Sequence, residues 1–407
     1  MTRYRTIVGL LLAGTMVIAA CASDDDTATP ATSEVGSDEP SADGSTGGTA
    51  APESSEDCAS PIRIGVPMEI TGAVEPYTTP TINGIELAVE LANAEGGVLG
   101  CQIELVKEDF ASDRALFPAA IRKLAGEDVD AMIGPISSTS LVVGAPVVAE
   151  EQIVMVAPTS VEQFPDGTLN EWIYRVAPVN AIALPTMLER MQDVVGFSKL
   201  AIFYDPANNA SVNDVSLLEE LDRDDDSWEI VATETAEQGS TDLSTQISNI
   251  TDSGADAIWF AHLVEENASF MIQARERGIT ADFVGGVTFT PSQTFEIAGD
   301  AAEGAITYVP FLDSVDTPVV QEFVAAYEAK YGGSPDVFSA EGYTGVLAVI
   351  EGLKAAGSRE PEALRDAMAT VSFESPIGPI TFENESDNTT PQLVLVRNEG
   401  GTFVPAD

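Results

Sequence analysis

The stretch Ile62-Arg63-Ile64-Gly65-Val66 is a short, mostly apolar run that predicts a β-strand. Residues 83–93 follow it with apolar side chains at helical spacing, and residues 102–106 form the next predicted strand. The alternation continues through predicted helices and strands at 117–124, 131–133, 141–150 and 153–156. Four βα units in a row predict an α/β fold, with a parallel sheet covered by helices on both faces.

A second series of βα units begins after Tyr174-Arg175-Val176-Ala177-Pro178. Predicted helices and strands alternate again from residue 182 to a strand at 282–284. The later predicted elements are helices at 318–331 and 342–356 and strands at 380–382 and 393–396. Residues 58–407 are also too many for one hydrophobic core, so the sequence predicts two similar lobes with a cleft between them.

The N-terminal residues predict export and a lipid anchor. An apolar run at 7–20, preceded by two arginines, suits a secretory signal and is too short to span a bilayer. Ile18-Ala19-Ala20-Cys21 resembles a lipobox, so we expect residues 1–20 to be removed and Cys21 to be acylated. The alternative is an ordinary signal peptide with an incidental cysteine. The composition of residues 21–57 predicts a disordered acidic tether, because it cannot build a core.

The charge of the chain excludes several classes of partner. The sequence has a net charge of −48 and a pI near 4.1. Such a chain is repelled by DNA, RNA and anionic membranes, so no nucleic-acid partner is expected. The densest acidic run, at 222–226, lacks the glycine and the distal glutamate of a calcium-binding loop. We therefore expect a solvated acidic surface, with no metal and no cofactor.

Two cysteines remain once Cys21 is assigned to the lipid. Cys58 lies just before the first predicted strand and Cys101 just before the second. Because parallel strands begin at the same edge of a sheet and the predicted compartment is oxidising, a Cys58–Cys101 disulfide is expected. The alternative is two unrelated thiols.

Hydroxyl side chains cluster after two predicted strands. Ser137, Ser138 and Thr139 follow the third strand, and Thr159 and Ser160 follow the fourth. Ligands of open parallel sheets bind beyond the carboxyl ends of the strands, and hydroxyls at a helix N-terminus suit a carboxylate or another acceptor-rich group. The alternative is plain helix capping by Ser137 or Ser138.

The second half of the chain adds further candidates but no enzyme motif. Asn209 lies in the segment after one predicted strand, and His262, the only histidine, ends another. A lone histidine is more often structural, although a strand end that faces the cleft also permits a ligand contact. The sequence contains no nucleophile elbow, metalloprotease, C-x-x-C or Gly-rich phosphate-binding motif, so no catalysis is expected.

A series of short motifs follows in a specific order along the chain. They are residues 62–66, Thr71-Gly72, 83–88, 96–100, Ile133-Gly134-Pro135, Tyr174-Arg175, Ala302-Glu303-Gly304, 323–327 and 375–382. Each motif is weak alone. In this order and spacing they resemble the branched-chain amino acid binding proteins, which are type I periplasmic binding proteins, over essentially the whole chain after Cys58.

The resemblance implies two Rossmann-like lobes joined by a three-strand hinge, with crossovers near 177–180, 308–311 and 376–379. Lobe I would comprise residues 58–179 with 311–375, and lobe II residues 180–310 with 376–407. In this family the ligand closes the lobes about the hinge, and a membrane permease recognises the closed form. A separate ATPase supplies the energy.

The resemblance also implies ligand contacts. Ser138 and Thr159 match the positions that hold the α-carboxylate of an amino acid, and Tyr77 matches an aromatic residue of the first loop. Asn180, Asn209 and Thr288 complete the candidate site with His262 and the hydroxyl cluster.

The acid that pairs with an α-ammonium in the family is not matched, because Val287 occupies its position. A buried ammonium without an anionic partner is costly. Two hypotheses follow. One is that Glu69, Glu75, Glu265 or Glu266 replaces the missing acid. The other is that the ligand is an amide, a urea-like molecule or a small carboxylic acid.

The sequence thus predicts a lipid-anchored, extracytoplasmic solute-binding protein of an ABC importer. It would act as a monomer on the outer face of the cytoplasmic membrane, capture a small polar ligand and dock onto permease subunits. The alternative is a sensory module that passes its closed state to a membrane receptor. A secreted hydrolase is disfavoured by the missing nucleophile motifs.

Overall fold

The computed structural model describes residues 58–159, 170–224, 227–382, 387–388 and 392–406. The predicted signal peptide, the tether, Cys21 and Ser160 lie outside the described residues. Within those ranges, no helix has both the length and the apolar character that a membrane span requires.

The described strands are β1 (Ile62–Met68), β2 (Ile103–Asp109), β3 (Ala131–Ile133), β4 (Met155–Ala157), β5 (Ile173–Arg175), β6 (Lys199–Tyr204), β7 (Glu229–Thr235), β8 (Ala257–Ala261), β9 (Asp282–Gly285), β10 (Ile306–Val309), β11 (Ser372–Ser375), β12 (Gly378–Thr381), β13 (Val394–Glu399) and β14 (Thr402–Pro405). The α-helices are α1 (Glu75–Ala94), α2 (Phe117–Ala125), α3 (Ser138–Glu151), α4 (Asn180–Val195), α5 (Asn209–Asp224), α6 (Ser244–Ser253), α7 (Val264–Glu276), α8 (Ser292–Ala298), α9 (Pro318–Tyr331), α10 (Val337–Ala356) and α11 (Pro361–Met368).

The first sheet contains five parallel strands in the order β2-β1-β3-β4-β5. β1 lies inside the sheet, paired with β2 on one side and β3 on the other, and all of its residues except Arg63 are buried. A strand inside a parallel sheet has no solvent face because helices cover both sides. This explains the apolar run at 62–66 and confirms the predicted parallel sheet.

The second sheet has the order β14-β13-β10-β9-β8-β6-β7. Its strands from β6 to β10 are parallel, whereas β13 and β14 are antiparallel. The β13–β14 turn is Gly400-Gly401, and both glycines have positive φ, at 58° and 86°. Paired positive φ values are what a two-residue hairpin turn requires.

Buried apolar side chains form separate cores around the two sheets. The core around the first sheet draws mainly on residues 62–176 and 311–382, and this part of the structure is lobe I. The cores on the two faces of the second sheet draw on residues 183–308 and Leu395, and this part is lobe II.

The third crossover between the lobes lies later in the chain than the prediction of 376–379. β11 and β12 form a hairpin, and Ile377, Ile380 and Phe382 are buried in the lobe I core. Phe382 meets Tyr174 edge to face, with ring centroids 5.2 Å apart. Residues 376–382 therefore belong to lobe I, whereas Leu393 packs against a lobe II core.

The beginning of the described chain is attached to lobe I in two ways. Cys58 and Cys101 form a disulfide, as predicted, with Cα atoms 5.3 Å apart. Arg359 donates hydrogen bonds to the carbonyl oxygens of Ser60 at 3.2 Å and Pro61 at 2.9 Å, and it forms an ion pair with Asp130 at 2.7 Å. The residues just before β1 are thereby held against the body of the lobe.

Helices α1 and α10 of lobe I pack with their backbones in direct contact. A Cβ atom on Gly84 would overlap the carbonyl oxygen of Ser339, and one on Gly342 would overlap that of Thr81. Only glycine permits this approach. In this arrangement Tyr77 of α1 meets Phe338 of α10 edge to face, with centroids 5.2 Å apart.

Candidate functional site

A small cavity of about 60 Å³ lies between lobe I and lobe II, beyond the carboxyl ends of parallel strands from both sheets. In this arrangement of the lobes it has room for a few water molecules. Lobe I and the first crossover contribute Val74, Tyr77, Ile136, Ser137, Ser138, Pro158, Thr159, Ala177, Phe338 and Glu341. Lobe II contributes Asn208, Ala210, Leu263, Val287 and Thr288.

Three predicted hydroxyl residues of lobe I line this cavity. Ser138 begins α3, and Ser137 precedes it without forming a side-chain capping hydrogen bond. Thr159, which follows β4, is buried, and its hydroxyl has no hydrogen-bond partner among the described residues. A buried hydroxyl without a partner is unfavourable, so Thr159 is suited to bind an acceptor or donor group in the cavity.

Glu69 lies against the start of α3. Its Oε2 accepts a hydrogen bond from the backbone N–H of Ile136 at 3.3 Å. Burial raises the pKa of Glu69 to about 7, and hydrogen bonds from Ser140, Ile136 and Ser137 oppose that rise. The Glu69 carboxyl group thus already accepts a hydrogen bond at the N-terminus of α3. The hydroxyl groups of Ser137, Ser138 and Thr159 remain available to the cavity.

Direct hydrogen bonds join the two lobes across the cleft. The hydroxyl of Tyr77 donates to the carbonyl oxygen of Thr288 at 3.2 Å. The backbone N–H of Asn209 donates to the hydroxyl of Thr139 at 2.9 Å. Thr139 therefore bridges the lobes and does not line the cavity. Thr288 does line it, with a buried hydroxyl that finds no hydrogen-bond partner in the described part of the chain.

Glu341 is the acidic residue of the cavity wall. It lies near the start of α10, is only 2 % exposed, and none of the described residues forms a hydrogen bond with its carboxyl group. Burial raises the pKa of Glu341 well above the usual value for glutamate, and the neighbouring Asp336 carboxyl adds to the rise. The described residues that line the cavity include no lysine, arginine or histidine.

Glu341 was missed by the sequence analysis. The predicted helix begins at residue 342, whereas α10 begins at Val337 because Asp336 and Ser339 form a reciprocal capping box. The signal was present in the sequence, since Asp336 precedes the helix and Glu341 interrupts a largely apolar helical pattern. Phe338, one turn before Glu341, was missed for the same reason.

The acids that were proposed as replacements lie outside the cavity lining. Glu69 is engaged at α3, and Glu75 accepts a hydrogen bond from Thr79. Glu265 is exposed, and Glu266 accepts a hydrogen bond from the backbone N–H of Gly239. None of the four is placed to receive a ligand in this cavity.

Two predicted site residues have protein partners instead of a position in the cavity wall. The Nδ1 atom of His262 accepts a hydrogen bond from Leu263 N at 2.8 Å, and Nε2 lies 3.1 Å from the carbonyl oxygen of Ala236. Asn180 donates to the buried Asp214 carboxyl. Oε2 of Glu266, one helical turn further along the chain, also lies 3.3 Å from Nδ1 of His262. These contacts favour structural roles, and no sequence pattern identifies Ala236 or Asp214 as a partner.

Asn209 contributes its backbone to the contact between the lobes, while its neighbours Asn208 and Ala210 line the cavity. In the described parts of the chain, no three His, Cys, Asp or Glu side chains come together as a metal site would require.

Two sheets, a chain that crosses between them and a cavity in the cleft define the class of two-lobed solute-binding proteins. The chain belongs to the periplasmic binding protein family, whose model matches residues 61–402. Its fold is that of type I periplasmic binding proteins, and its relatives include branched-chain amino acid binding proteins, which confirms the resemblance seen in the sequence.

Curated relatives share about a quarter of their residues with this chain. The leucine-, isoleucine-, valine-, threonine- and alanine-binding protein of Pseudomonas aeruginosa is 25% identical over 330 residues, which cover 80% of this chain and 87% of that protein. A Leu/Ile/Val-binding protein homolog of Brucella abortus is 27% identical over 341 residues, covering 82% and 89%.

Solved structures show the same fold. A leucine binding protein from Thermotoga maritima superposes with a TM-score of 0.77 at 24% identity, covering 84% of this chain and 97% of that one. A solute binding protein from R. palustris in complex with benzoate gives a TM-score of 0.76 at 22% identity, covering 85% and 95%.

Proposed function

We propose that the protein is the lipid-anchored, extracytoplasmic solute-binding component of an ABC importer. It captures a small polar ligand, namely an amino acid, an amide or a small carboxylate, in the cavity between its lobes. The observation that supports the proposal most is the combination of the interlobe cavity with the buried hydroxyls of Thr159 and Thr288, which have no hydrogen-bond partner within the described ranges. Binding, not catalysis, is the role proposed.

Capture occurs by closure of the lobes about the three crossovers. Tyr77 and Thr139 of lobe I form hydrogen bonds with backbone groups of lobe II. Closure therefore brings hydrogen-bond donors and acceptors of the two lobes together across the cleft. A ligand that contacts both walls of the cavity stabilises the closed arrangement by its differential affinity for it.

The anchor and the partners rest on the sequence. The lipobox at Cys21 supports acylation, and the acidic composition of residues 22–57 supports a tether between membrane and fold. The closed monomer then docks onto the permease subunits. The ligand passes from the binding protein into the channel of the permease.

The first test is native mass spectrometry of protein purified without refolding, because a buried ligand dissociates slowly. Thermal-shift measurements with amino acids, amides and small acids follow. We expect a co-purified molecule, or stabilisation by members of that panel. A protein that carries no ligand and responds to none of these compounds contradicts the proposed function.

The second test is the double substitution Ser138→Ala with Thr159→Ala. Hydrogen bonds to a charged ligand group contribute about 1.5–3 kcal/mol each, so loss of both should lower the affinity about a hundredfold or more in titration calorimetry. The matched control is Ser216→Ala with Thr370→Ala, which removes two exposed hydroxyls that bond only to their own chain segments. Equal affinities for both double variants would remove these hydroxyls from the site.

A further inference from the structure

We propose that Asp214 of lobe II is a positioning residue of the ligand site, and that a proton bound to its buried carboxyl group favours closure of the lobes. Asp214 does not line the ligand cavity. It acts through two neighbours, the turn that carries Val287 and Thr288 and the crossover that ends at Asn180. This inference rests on the proposed solute-binding function and names a form of regulation for its site.

The first support is the position of the Asp214 carboxyl group behind one wall of the cavity. Asp214 lies in the second turn of α5 and is fully buried. A Cβ atom on Gly286 would lie only 2.8 Å from its Oδ2 atom, so the carboxyl group packs against the backbone that leads into Val287 and Thr288. Those two residues line the ligand cavity. The place of the carboxyl group therefore sets the place of this wall.

The second support is the contact of Asp214 with two crossovers. The side-chain amide of Asn180, the first residue of α4, donates a hydrogen bond to Oδ1 of Asp214. Asn180 directly follows the first crossover. Tyr308 of β10 lies at the start of the second, and its hydroxyl would lie 3.5 Å from the same Cβ position on Gly286. One buried carboxyl group thus bears on both of these chain segments between the lobes.

The third support is a second, smaller pocket at the hinge. It measures about 20 Å³, which is room for one water molecule. Asn180 and Tyr308 border it from lobe II, and Val337 and Glu341 border it from lobe I. Opening of the lobes separates these walls and admits water to the groups that enclose Asp214. The surroundings of Asp214 therefore differ between the open and the closed arrangement.

The fourth support is that no cation compensates the carboxyl group. Asn180 from α4, Trp259 from β8, Gly286 after β9 and Tyr308 from β10 face it, and of these only Tyr308 is titratable. Oδ2 of Asp214, the indole N–H of Trp259 and the hydroxyl of Tyr308 have no hydrogen-bond partner of normal geometry among the described residues. A buried carboxyl group in such surroundings is more stable with its proton than without it.

The pKa values agree with this geometry. Burial raises the pKa of Asp214 to about 7, and Trp259 is near enough to oppose part of the rise. Burial also raises the pKa of Tyr308 well above its usual value, and Asp214 adds to the rise, so this phenol stays neutral. Across the hinge pocket, burial and Asp336 hold the pKa of Glu341 high.

The direction of the pH effect follows from the enclosure of the carboxyl group. Water reaches its surroundings in the open arrangement, so Asp214 has the higher pKa, and binds its proton more tightly, when the lobes are closed. Closure is therefore favoured below about pH 7 and weakens as the pH rises through that value. Glu341 acts in the same direction, because two ionised acids on opposite walls of one buried pocket repel each other.

The experiment measures affinity and closure from about pH 5.5 to about pH 8, a range that brackets the titration of Asp214. The probes are leucine and benzoate, which keep their charge over this range. Titration calorimetry gives the affinities, and small-angle scattering without ligand gives the radius of gyration. The proteins are the wild type, Asp214→Asn, Glu341→Gln and the control Asp222→Asn, an acid of the same helix that accepts a hydrogen bond from Ile230 N at 3.1 Å.

We expect the affinity of the wild type for a bound probe to fall about tenfold across this range, as a pKa difference of about one unit between the two arrangements requires. Its radius of gyration without ligand should rise. Asp214→Asn carries a neutral amide at every pH, so both quantities should stay at their low-pH values. Asp222→Asn should follow the wild type, and Glu341→Gln should still depend on pH. Circular dichroism verifies that each variant is folded.

A wild type whose affinity and radius of gyration do not vary with pH overturns the inference without recourse to any variant. It is also overturned if Asp214→Asn titrates as the wild type does, or if the pH dependence is lost in Glu341→Gln instead. These results leave the solute-binding function standing. If neither probe binds, the radius of gyration still decides the role of Asp214, whereas native mass spectrometry and the wider ligand panel decide the proposed function.

Discussion

Glu341 imposes a stability cost on the protein without added ligand. The pKa of its carboxyl group is raised in the folded state above the 4.5 of an unperturbed glutamate. A raised pKa means that the folded protein binds the proton more tightly than the unfolded chain does. The contribution of this group to stability is therefore greatest below pH 4.5 and declines as the pH rises above that value.

We expect Glu341→Gln to raise the melting temperature at pH 7 by about 2 °C or more, because the amide is never charged. The gain should shrink as the pH is lowered towards 4.5. Differential scanning calorimetry across this pH range measures the difference, with Glu351→Gln as the exposed control. A gain that does not vary with pH would show that ionisation of Glu341 is not its source.

At the residue scale, the sequence predicted the hydroxyl residues of the cavity, Ser138 and Thr159, but not its acidic residue, Glu341. Ser138 and Thr159 line the cavity because residues after parallel strands meet at one edge, which is a rule that sequence can apply. Glu341 reaches the cavity from a helix late in the chain, and its position depends on the packing of α10 against α1. His262 was ambiguous because one of its partners, the carbonyl group of Ala236, is remote in sequence.

The α1–α10 contact is the element on which the cavity wall depends. A methyl group at Gly342 would overlap the backbone of Thr81, and neither helix can move without displacing Tyr77 or Phe338. We expect Gly342→Ala to destabilise the protein by about 1–3 kcal/mol in urea unfolding, as overpacked cores do. The same variant should weaken ligand binding, because a shift of α10 at Gly342 also displaces its neighbour Glu341 in the cavity wall.

The control for this substitution is Gly333→Ala. Gly333 is exposed, and nothing lies within 4 Å of a methyl group built there. It should therefore leave the unfolding midpoint unchanged. Equal stabilities for the two variants would mean that α1 and α10 separate at little cost.

At the element scale, the alternation of predicted strands and helices indicated both parallel sheets. It could do so because the apolar spacing of each βα unit lies within a short stretch of sequence. The third crossover was placed too early, since the β11–β12 hairpin is held in lobe I by the contact of Phe382 with Tyr174. Such a contact, between residues more than two hundred positions apart, has no local signature. The start of α10 had one, the Asp336 and Ser339 capping pair, which the sequence analysis did not use.

For the whole molecule, the hydrogen bond from Tyr77 to the Thr288 carbonyl links the two lobes. We expect Tyr77→Phe to lower ligand affinity about two- to tenfold, because one neutral hydrogen bond of the closed form is lost. Small-angle scattering without added ligand should report a larger radius of gyration than for the wild type.

The matched control is Tyr331→Phe. The Tyr331 hydroxyl also donates to a backbone carbonyl, that of Asn83 at 3.0 Å, but within lobe I. Its loss should change neither the affinity nor the radius of gyration. A similar change in both variants would indicate a general loss of stability and not a release of the lobes.

The attachment of Cys58 and Arg359 to lobe I has a mechanical consequence for an anchored protein. With the lipid anchor proposed at Cys21, tension from the membrane side would enter the described fold at Cys58, directly before β1. The disulfide transfers part of that load to Cys101 and β2, and Arg359 transfers part through Ser60 and Pro61 to the region of Asp130. The pull is thus shared by neighbouring strands of lobe I, and the hinge and the cleft lie outside the path of the force.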